Sequence, residues 1–509
     1  MIRKRNIGLV LSYTNTFLNM IIGLFLSSFL LRQLGDTEYG IYQTIASFAN
    51  YLVLLEFGTG TVMARNLSVC RSKGESQLQI EKNISTIWSI TSILALVIAM
   101  VSVVFYFLLD SIYANSLTSE QIAVGKNIFI FITIYLLASF YVQTLNGVML
   151  AYEDYTYSSS TSIVRMVLRA ALLVILLLNI KQAIIIAIID AVLGVFLATF
   201  GFAYATKKFK VQIGFKNFDI LVLKASLPLC LAIFLQAVIN QANSNVGKFV
   251  LGVSIGPEDV SLYSVSLYIY SIFASLTTIP LSLYVPQVTN DVTSGKRGRE
   301  LTDSLVQPSR LIAIVGGLVL FGFIAAGRQF VDIVYGEKYS LAWVLAIILI
   351  GPMFINMTIG IVINVLDALN KRLTRSLILL ISTGTNILLT IVLINCMGII
   401  GAAVSTGACM LFQVLLLCIY YCKKIKINVF YLFCKAYKGI LIYQILGAIV
   451  GFCIGTFIPN VYLSFLVSGV VYIVIALSGF LLLGKNAEEK IMIDKILSKF
   501  LKKLKFKRV

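Results

Sequence analysis

Two arginines lie inside an apolar stretch, where charged side chains are rare. Arg165 and Arg169 are four residues apart in the stretch 159–179, so on a helix they project from one face. A guanidinium presents its N–H donors in a planar fork that matches the oxygens of a phosphate or a carboxylate. The spacing therefore predicts a pair of anion ligands held within an apolar layer.

An acidic residue in the next apolar stretch offers a second interpretation of these arginines. If the stretches 159–179 and 182–205 form a hairpin that turns near residue 180, Arg169 and Asp190 lie at similar depth, about 15 Å from the turn. An ion pair would then neutralise both charges. The two interpretations are compatible, because Asp190 could release Arg169 when an anion arrives.

Two further apolar stretches carry polar residues at helical spacing. These are Asn15 and Asn19 in the first stretch, and Gln236, Asn240, Asn243 and Lys248 in the seventh. Polar groups in hydrocarbon are costly, so such sets mark either a water-filled cavity or hydrogen bonds between helices. The density of polar groups in the seventh stretch favours a cavity. Lys248 alone is also typical of a lysine that extends to the membrane surface.

Acids inside the apolar stretches are candidates for coupling to an ion. Glu56 is expected at about the depth of Asn15, and Asp190 is the second such acid. The chain has no histidine, so a proton-coupled step near neutral pH must use a carboxylate or another group. A hydrogen-bonded acid without such a role is the alternative for Glu56.

Fourteen apolar stretches position these side chains. The composition is 59% apolar and 12% charged, and the mean hydropathy is +0.94. A soluble chain of this length would need far more charged surface, whereas about 20 apolar residues suffice for a helix to cross the hydrocarbon layer. The sequence therefore predicts an all-α polytopic membrane protein with about 14 transmembrane helices.

The basic residues are distributed unevenly between the two sides of these stretches. Of the 41 Lys and Arg residues, 35 lie near the termini or in every second gap, counting Arg165 and Arg169 just inside a stretch. Because basic loops resist translocation, we predict a protein of the cytoplasmic membrane with both termini cytoplasmic. The net charge of +19 is spread thinly along one face, which indicates attraction to anionic lipids rather than to nucleic acid.

The sequence lacks the patterns of a metal site, a nucleotide site or a catalytic centre. Its eight cysteines show no C-x-x-C spacing, so a zinc site is not indicated. It contains neither a Walker-type phosphate loop nor an H-E-x-x-H motif, both of which have defined residue requirements. We therefore predict no cofactor, no metal and no enzymatic activity.

A short internal repeat predicts two related halves. Leu34-Gly35 precedes Gly40-Ile41-Tyr42 in the first half, and Leu251-Gly252 precedes Ser261-Leu262-Tyr263 in the second. With an even number of stretches in each half, the halves would be parallel repeats. The predicted organisation is a six-helix lobe at 1–215, a second lobe at 216–425, two further helices at 426–484 and a basic amphipathic cytoplasmic tail at 485–509 on the membrane surface.

Three segments carry a family resemblance. They are Leu31-Arg32-Gln33-Leu34-Gly35-Asp36-Thr37-Glu38-Tyr39-Gly40-Ile41-Tyr42, Val334-Tyr335-Gly336-Glu337-Lys338-Tyr339, and residues 386–413 with Gly398-Ile399-Ile400-Gly401-Ala402-Ala403. The first resembles the first-hairpin signature of Wzx-type flippases of polysaccharide repeat units. The second and third are similar to the segment before the tenth span of that family and to its eleventh and twelfth spans. These flippases belong to the multidrug/oligosaccharidyl-lipid/polysaccharide exporter superfamily.

The resemblance implies two six-helix lobes around a central cavity, and outward movement of an undecaprenyl-diphosphate-linked oligosaccharide by alternating access. Arg165, Arg169 and Lys248 could supply charge to the diphosphate, and the Asn and Gln residues could bind sugar hydroxyls. Membrane lipids, a polysaccharide polymerase and chain-length machinery would be partners. Relatives often carry an acid in span seven, where this chain has Asn243-Ser244-Asn245, so any ion coupling here would need another group.

Three other functions stay open at this point. A cation-coupled multidrug exporter of the same superfamily would favour acids and aromatic residues over basic groups inside the spans. A lipid II flippase would be a close relative of the first interpretation. A glycan polymerase or ligase would be expected to carry longer outer loops than this sequence contains.

Overall fold

The computed structural model describes the backbone of residues 2–369, 371–486 and 489. Side chains are described for the same residues except 2–16, 155, 232, 239, 240, 242–244, 279, 280, 282, 283, 372, 373 and 483. Nearly all of the predicted tail at 485–509, and the side chains of Asn15, Asn240 and Asn243, therefore lie outside the described residues.

The described residues form helices joined by short connections, with no strand among them. The helices are α1 (Ile2–Leu52), α2 (Thr59–Ser72), α3 (Gln77–Tyr113), α4 (Ser119–Ala151), α5 (Tyr155–Asn179), α6 (Ile184–Phe209), α7 (Ile220–Ser254), α8 (Pro257–Leu283), α9 (Val285–Thr293), α10 (Gly298–Tyr335), α11 (Leu341–Thr358), α12 (Val362–Ala368), α13 (Arg372–Met397), α14 (Ile399–Tyr420), α15 (Val429–Tyr437), α16 (Leu441–Thr456) and α17 (Val461–Gly479). The all-α, multi-span fold class is thus confirmed.

The first helix contains the first predicted span, 7–31, and the beginning of the second, 40–63. A straight helix of 51 residues would be roughly 75 Å long, more than twice the hydrocarbon thickness. It is interrupted at Gly35, whose φ of 77° and ψ of 177° are not helical and suit a residue without a Cβ. In the described residues, 12 helical segments are long and apolar enough to cross a membrane, or 13 with the bent pair Val429–Tyr437 and Leu441–Thr456 taken as one span. Because the first segment includes both sides of Gly35, counting those sides separately accommodates the fourteen predicted spans.

Packing divides the chain into two compact units. Unit 1 comprises Met1–Tyr268 and Leu379–Cys409, and unit 2 comprises Ile269–Ile378 and Met410–Val509. Unit 1 thus contains α7 together with the first six predicted spans. The organisation into lobes at 1–215 and 216–425, with two extra helices and a tail, stays a prediction.

The connections of unit 1 collect at two ends. At one end Ser116 Oγ donates a 2.6 Å hydrogen bond to Gly252 O, and Glu38 accepts a 2.9 Å hydrogen bond from the Ala183 N–H. At the other end, ion pairs join Lys82 to Asp219 and Lys208 to Asp154, and Arg71 donates to Ala151 O. This alternation agrees with the alternating gaps of the charge pattern. That the second end faces the cytoplasm stays a prediction.

Asp219 fixes the start of α7 at this second end. Its carboxylate accepts a hydrogen bond from the Leu221 N–H at 2.9 Å and pairs with Lys82 Nζ at 3.2 Å. Hydrogen bonding from that backbone N–H, and then from Lys82, holds the pKa of Asp219 below its usual range. The ionised cap ties α7 to α3.

Two glycines allow α2 and α4 to pack backbone to backbone. A Cβ at Gly147 would overlap the carbonyl oxygen of Gly60, and a Cβ at Gly60 would overlap that of Gln143. Small residues at such crossings let membrane helices approach closely and pack by van der Waals contact. This contact sets the position of α4, which carries Gln143 and Asn146 at the same level.

Replacing Gly147 by alanine should destabilise the protein, since the added methyl group must displace α2. We expect a loss of about 1–3 kcal/mol, seen as a lower melting temperature of the purified protein. Gly384→Ala is the matched control, because no atom lies within 4 Å of its Cβ position; alanine there should be neutral or slightly stabilising. Equal melting temperatures for Gly147→Ala and the wild type would contradict the close contact.

Unit 2 is organised around a buried arginine as well as an apolar core. Val288, Leu301, Val362 and Leu417 belong to a core cluster from α9, α10, α12 and α14. Arg310 of α10 is fully buried; it donates to the carbonyl oxygens of Lys435, Lys438 and Gly484 and pairs with Glu489 at 2.7 Å. Because a buried charge is tolerated only when paired and hydrogen-bonded, Arg310 serves as a structural link within unit 2.

Candidate functional site

A polar cavity of about 460 Å³ lies within unit 1, between the end of α1 and helices α4, α5 and α6. Its charged lining groups are Arg165 and Glu56, and its amide groups belong to Asn50, Gln143 and Asn146. The hydroxyl groups come from Tyr135, Ser139, Tyr157, Ser158, Ser159, Thr161 and Ser162. This set combines one cation and one carboxylate with many neutral hydrogen-bonding groups.

Arg165 presents its charge to this polar cavity. Its guanidinium lies over the ring of Tyr135, 5.1 Å from the ring centroid, a cation–π arrangement. The Tyr135 ring packs against α6 at Gly194, where a Cβ would approach the ring to 3.1 Å. No ion pair joins Arg165 to another described residue. The side chain is therefore oriented by an aromatic face while its charge stays available to an anion.

Arg169 has different surroundings, one helical turn away. Its Nε and Nη2 atoms bind the two carboxylate oxygens of Asp190 at 2.5 and 2.9 Å, and Asp190 is buried. The ion pair predicted from the hairpin is confirmed. Arg169 is not among the residues that line the polar cavity, so the role of Arg169 and Asp190 in anion binding or ion coupling stays a prediction.

Lys248, Asn19 and Gln236 do not line the polar cavity with Arg165. Lys248 donates to Gln43 Oε1 at 3.3 Å, and Gln43 Nε2 donates to Tyr39 Oη at 2.8 Å, so Lys248 connects α7 to α1 within unit 1. Asn19 and Gln236 are exposed, and neither lines the polar cavity. Their proposed contacts with cargo, like those of Asn15, Asn240 and Asn243, stay predictions.

Glu56 lies at a break in the second predicted span. A short 3₁₀ turn, Val53–Glu56, follows α1, and Phe57 and Gly58 then adopt left-handed conformations with φ of 53° and 65°. We call residues 53–58 the helix break. Non-helical backbone at membrane depth is tolerated where it is buried in protein or lines a cavity, and transporter spans are often interrupted at their binding sites.

A second cavity of about 460 Å³ adjoins the helix break on the side of α2 and α7. It is lined by Phe57, Gly58, Leu150, Ile233 and Gln241, among others. Four residues line both cavities: Val53, Glu56, Gln143 and Asn146. Glu56 and its two amide neighbours on α4 therefore form the wall between the two spaces.

Sequence reasoning missed most of the neutral groups of the site. The serine and threonine run at 158–162 was a signal, since five hydroxyl residues in succession are unusual at the start of a membrane span. Gln143 and Asn146 are three residues apart in one apolar stretch and Asn50 lies in another, and such amides are as typical of a hydrogen bond between helices as of a cavity. Only their convergence from several helices marks them as a site.

Comparison of the sequence with known proteins gives a family and a relative. Residues 6–292, more than half of the chain, match the model of a family described as polysaccharide biosynthesis protein. The protein named probable low-salt glycan biosynthesis flippase Agl15, from Haloferax volcanii, is 26% identical over 162 residues, which cover 31% of this chain and 33% of that protein. The match thus spans about a third of the length of this relative.

Solved structures show the same fold. A lipid II flippase MurJ in an inward closed conformation matches with a TM-score of 0.69 and 17% identity, over 93% of this chain and 99% of the other. An inward-facing multidrug resistance transporter of the MATE family, in the MOP superfamily, matches with a TM-score of 0.61 and 12% identity, over 79% and 92% of the two chains. At these identities the likeness establishes the fold alone.

Proposed function

Since this chain belongs to the polysaccharide biosynthesis protein family, we propose that it is a flippase for undecaprenyl-diphosphate-linked oligosaccharide repeat units. It carries them from the inner to the outer leaflet of the cytoplasmic membrane by alternating access. The observation that carries this proposal is the polar cavity, in which Arg165 faces amide and hydroxyl groups without an ion-pair partner among the described residues.

The chemistry of the polar cavity suits a glycan attached to a phosphate group. Its three amide side chains and its hydroxyl groups can donate to and accept from sugar hydroxyls. The guanidinium of Arg165 can bind phosphate oxygens through two parallel N–H groups. A cationic drug would instead meet the positive charge of Arg165, so the cavity favours a glycan flippase over an exporter of cationic drugs.

The direction of transport fits the charge of such a cargo. An anion that moves outward is driven by an inside-negative membrane potential, at about 2.3 kcal/mol per charge per 100 mV. Two six-helix lobes that rock against each other, with cytoplasmic termini, would alternately open the cargo path to the two sides of the membrane. A polysaccharide polymerase and its chain-length machinery would consume the flipped units and draw the step forward. The name of the Haloferax volcanii relative, a glycan biosynthesis flippase, supports the same cargo class.

Deletion of the gene in its native host should abolish the surface polysaccharide and leave lipid-linked repeat units accessible only from the cytoplasmic side. The wild-type gene should restore the polymer. The measurements are the amount of polymer at the cell surface and the side of sealed vesicles from which the lipid-linked oligosaccharide is accessible. Loss of peptidoglycan precursor transport and cell lysis would instead indicate a lipid II flippase. Unchanged polymer with increased sensitivity to cationic drugs would indicate a drug exporter.

A further inference from the structure

We propose that Glu56 and the amides beside it form a binding site for a monovalent cation, a proton or a sodium ion, at the helix break. We further propose that binding of the cation to this site drives cargo movement. That second step rests on the proposed flippase function, whereas the cation site itself does not. Nothing in the family match or in the names of the similar proteins assigns a role to this residue. Three observations carry the inference: the surroundings of the carboxylate, the number of charges there, and the contact between the helix break and α7.

The carboxylate of Glu56 is placed in an interrupted helix between two cavities. It lines both spaces, as do Gln143 and Asn146 of α4, and Gln241 of α7 lines the second. Side-chain amides and the C-terminal end of a helix both present oxygen atoms that attract a cation.

Glu56 shares the polar cavity with Arg165 but is not paired with it. No ion pair joins it to any other residue that the structure describes. Three of the neighbouring helices carry no charge along their middle parts: none lies between Lys82 and Asp110 in α3, between Lys126 and Glu153 in α4, or between Lys224 and Lys248 in α7.

The other charged or titratable groups near Glu56 can also be named. Among the residues lining the two cavities they are Arg165, Tyr135 and Tyr157, which line only the polar cavity. On α2, the helix that follows the break, the charged residues are Arg65 and Arg71. A lone carboxylate at membrane depth is costly, and a bound cation removes that cost.

The number of acidic groups determines the class of cation. One carboxylate with neutral amide oxygens balances one positive charge. A calcium site typically uses six to eight oxygen ligands, often with several carboxylates, and no group of three or more acidic or cysteine side chains that could hold a metal occurs in the described part of the chain. The site therefore fits a proton or a sodium ion and does not fit a divalent cation.

The helix break is also in direct contact with α7. Phe57 stacks on Phe234, with ring centroids 4.4 Å apart and planes 7° from parallel. A Cβ at Gly58 would overlap Ile233, so the backbone of the break lies directly against α7. Binding or release of a cation at Glu56 would change the charge of a segment that has little room to move without α7. Cation occupancy is thereby linked to a helix that packs along the wall of the second cavity.

The test uses the purified full-length protein in detergent and needs no cargo. Its melting temperature is measured between about pH 5 and about pH 9 without sodium. It is also measured against increasing NaCl at alkaline pH, with N-methyl-D-glucamine chloride holding the ionic strength constant.

For a proton site, the wild type should be stabilised as the pH falls. For a sodium site, NaCl should stabilise it in a saturable manner. Glu56→Gln should lose either response, because the neutral amide mimics the occupied carboxylate, and the control Glu120→Gln, at an exposed position in the first turn of α4, should keep it.

Two results would overturn the site: a full ion response in Glu56→Gln, or a wild type whose response to both ions matches that of Glu56→Gln. If Glu56→Gln does not fold, Gln143→Ala provides the second test. It removes one amide ligand and should raise the half-saturating sodium concentration about tenfold, or shift the pH midpoint. An unchanged midpoint would count against the site. Because these measurements need no cargo, an ion response would survive failure of the flippase proposal, and flipping could persist without any ion response.

Discussion

Replacing Arg165 by alanine should reduce flipping about 100-fold, because it removes the cation proposed to bind the phosphate of the cargo. Truncation of one partner of a buried charge pair costs about 3 kcal/mol. Arg165 is the cation of the polar cavity, and no described carboxylate pairs with it. The cost should fall on cargo binding rather than on folding. The measurements are surface polymer in a complemented deletion strain and the rate of lipid-linked oligosaccharide flipping in vesicles, with expression and melting temperature as checks.

Two further variants sharpen this expectation. Arg165→Lys should retain part of the activity, since lysine supplies a point charge without the planar fork of donors. Arg299→Ala, at an exposed position outside both cavities, should flip like the wild type. Full activity of a well-folded Arg165→Ala variant would show that Arg165 does not bind cargo. The proposal that the polar cavity is the cargo site would then lose its main support.

Replacing Arg169 by alanine should instead destabilise the fold. It leaves Asp190 buried beside no cation, and breaking a buried ion pair costs about 3–5 kcal/mol. We expect low expression and a lower melting temperature of the purified variant. The matched control is Lys126→Ala, which breaks the 2.6 Å ion pair with Asp110, whose side chain is 59% exposed; a pair with one solvated partner contributes only about 0–1 kcal/mol.

The double variant Arg169→Leu with Asp190→Leu separates structure from function at this pair. It removes both charges, so it should recover most of the stability that Arg169→Ala loses. If it folds and flips normally, the pair is structural. If it folds but does not flip, Arg169 takes part in cargo binding, with Asp190 releasing it when the anion arrives. A stable, well-expressed Arg169→Ala single variant would contradict the structural role itself.

The contrast between Arg165 and Arg169 shows how burial divides two similar residues. Both lie on α5, one turn apart, and the sequence offers both as anion ligands, with Asp190 as a further partner for Arg169. Asp190 lies at the depth that reaches Arg169, while Arg165 faces Tyr135. One arginine is therefore neutralised and the other is free to bind an anion. Anion binding by either arginine stays a prediction, and Arg165 is the one of the two that lines the polar cavity.

The sequence by itself determined the features that depend on local composition and on spacing along the chain. The apolar stretches determine the multi-span fold because each is long enough to cross hydrocarbon. Three segments within and between them carry the resemblance to a flippase family, which the family match confirms. The Arg169–Asp190 ion pair also follows from the sequence, because a short hairpin places residues equidistant from its turn at one depth.

Only the tertiary structure decided where the remaining polar groups converge. The polar cavity draws its lining from α1, α4, α5 and α6, so its shape depends on contacts such as that of Gly60 with Gly147. The helix break at Glu56 is held where Phe57 and Gly58 meet α7, more than 170 residues further along the chain. Lys248, a candidate cargo ligand in the sequence, bonds to Gln43 of α1. Contacts between residues so far apart in sequence leave no periodic signal in the chain, because packing between helices, and not local preference, selects them.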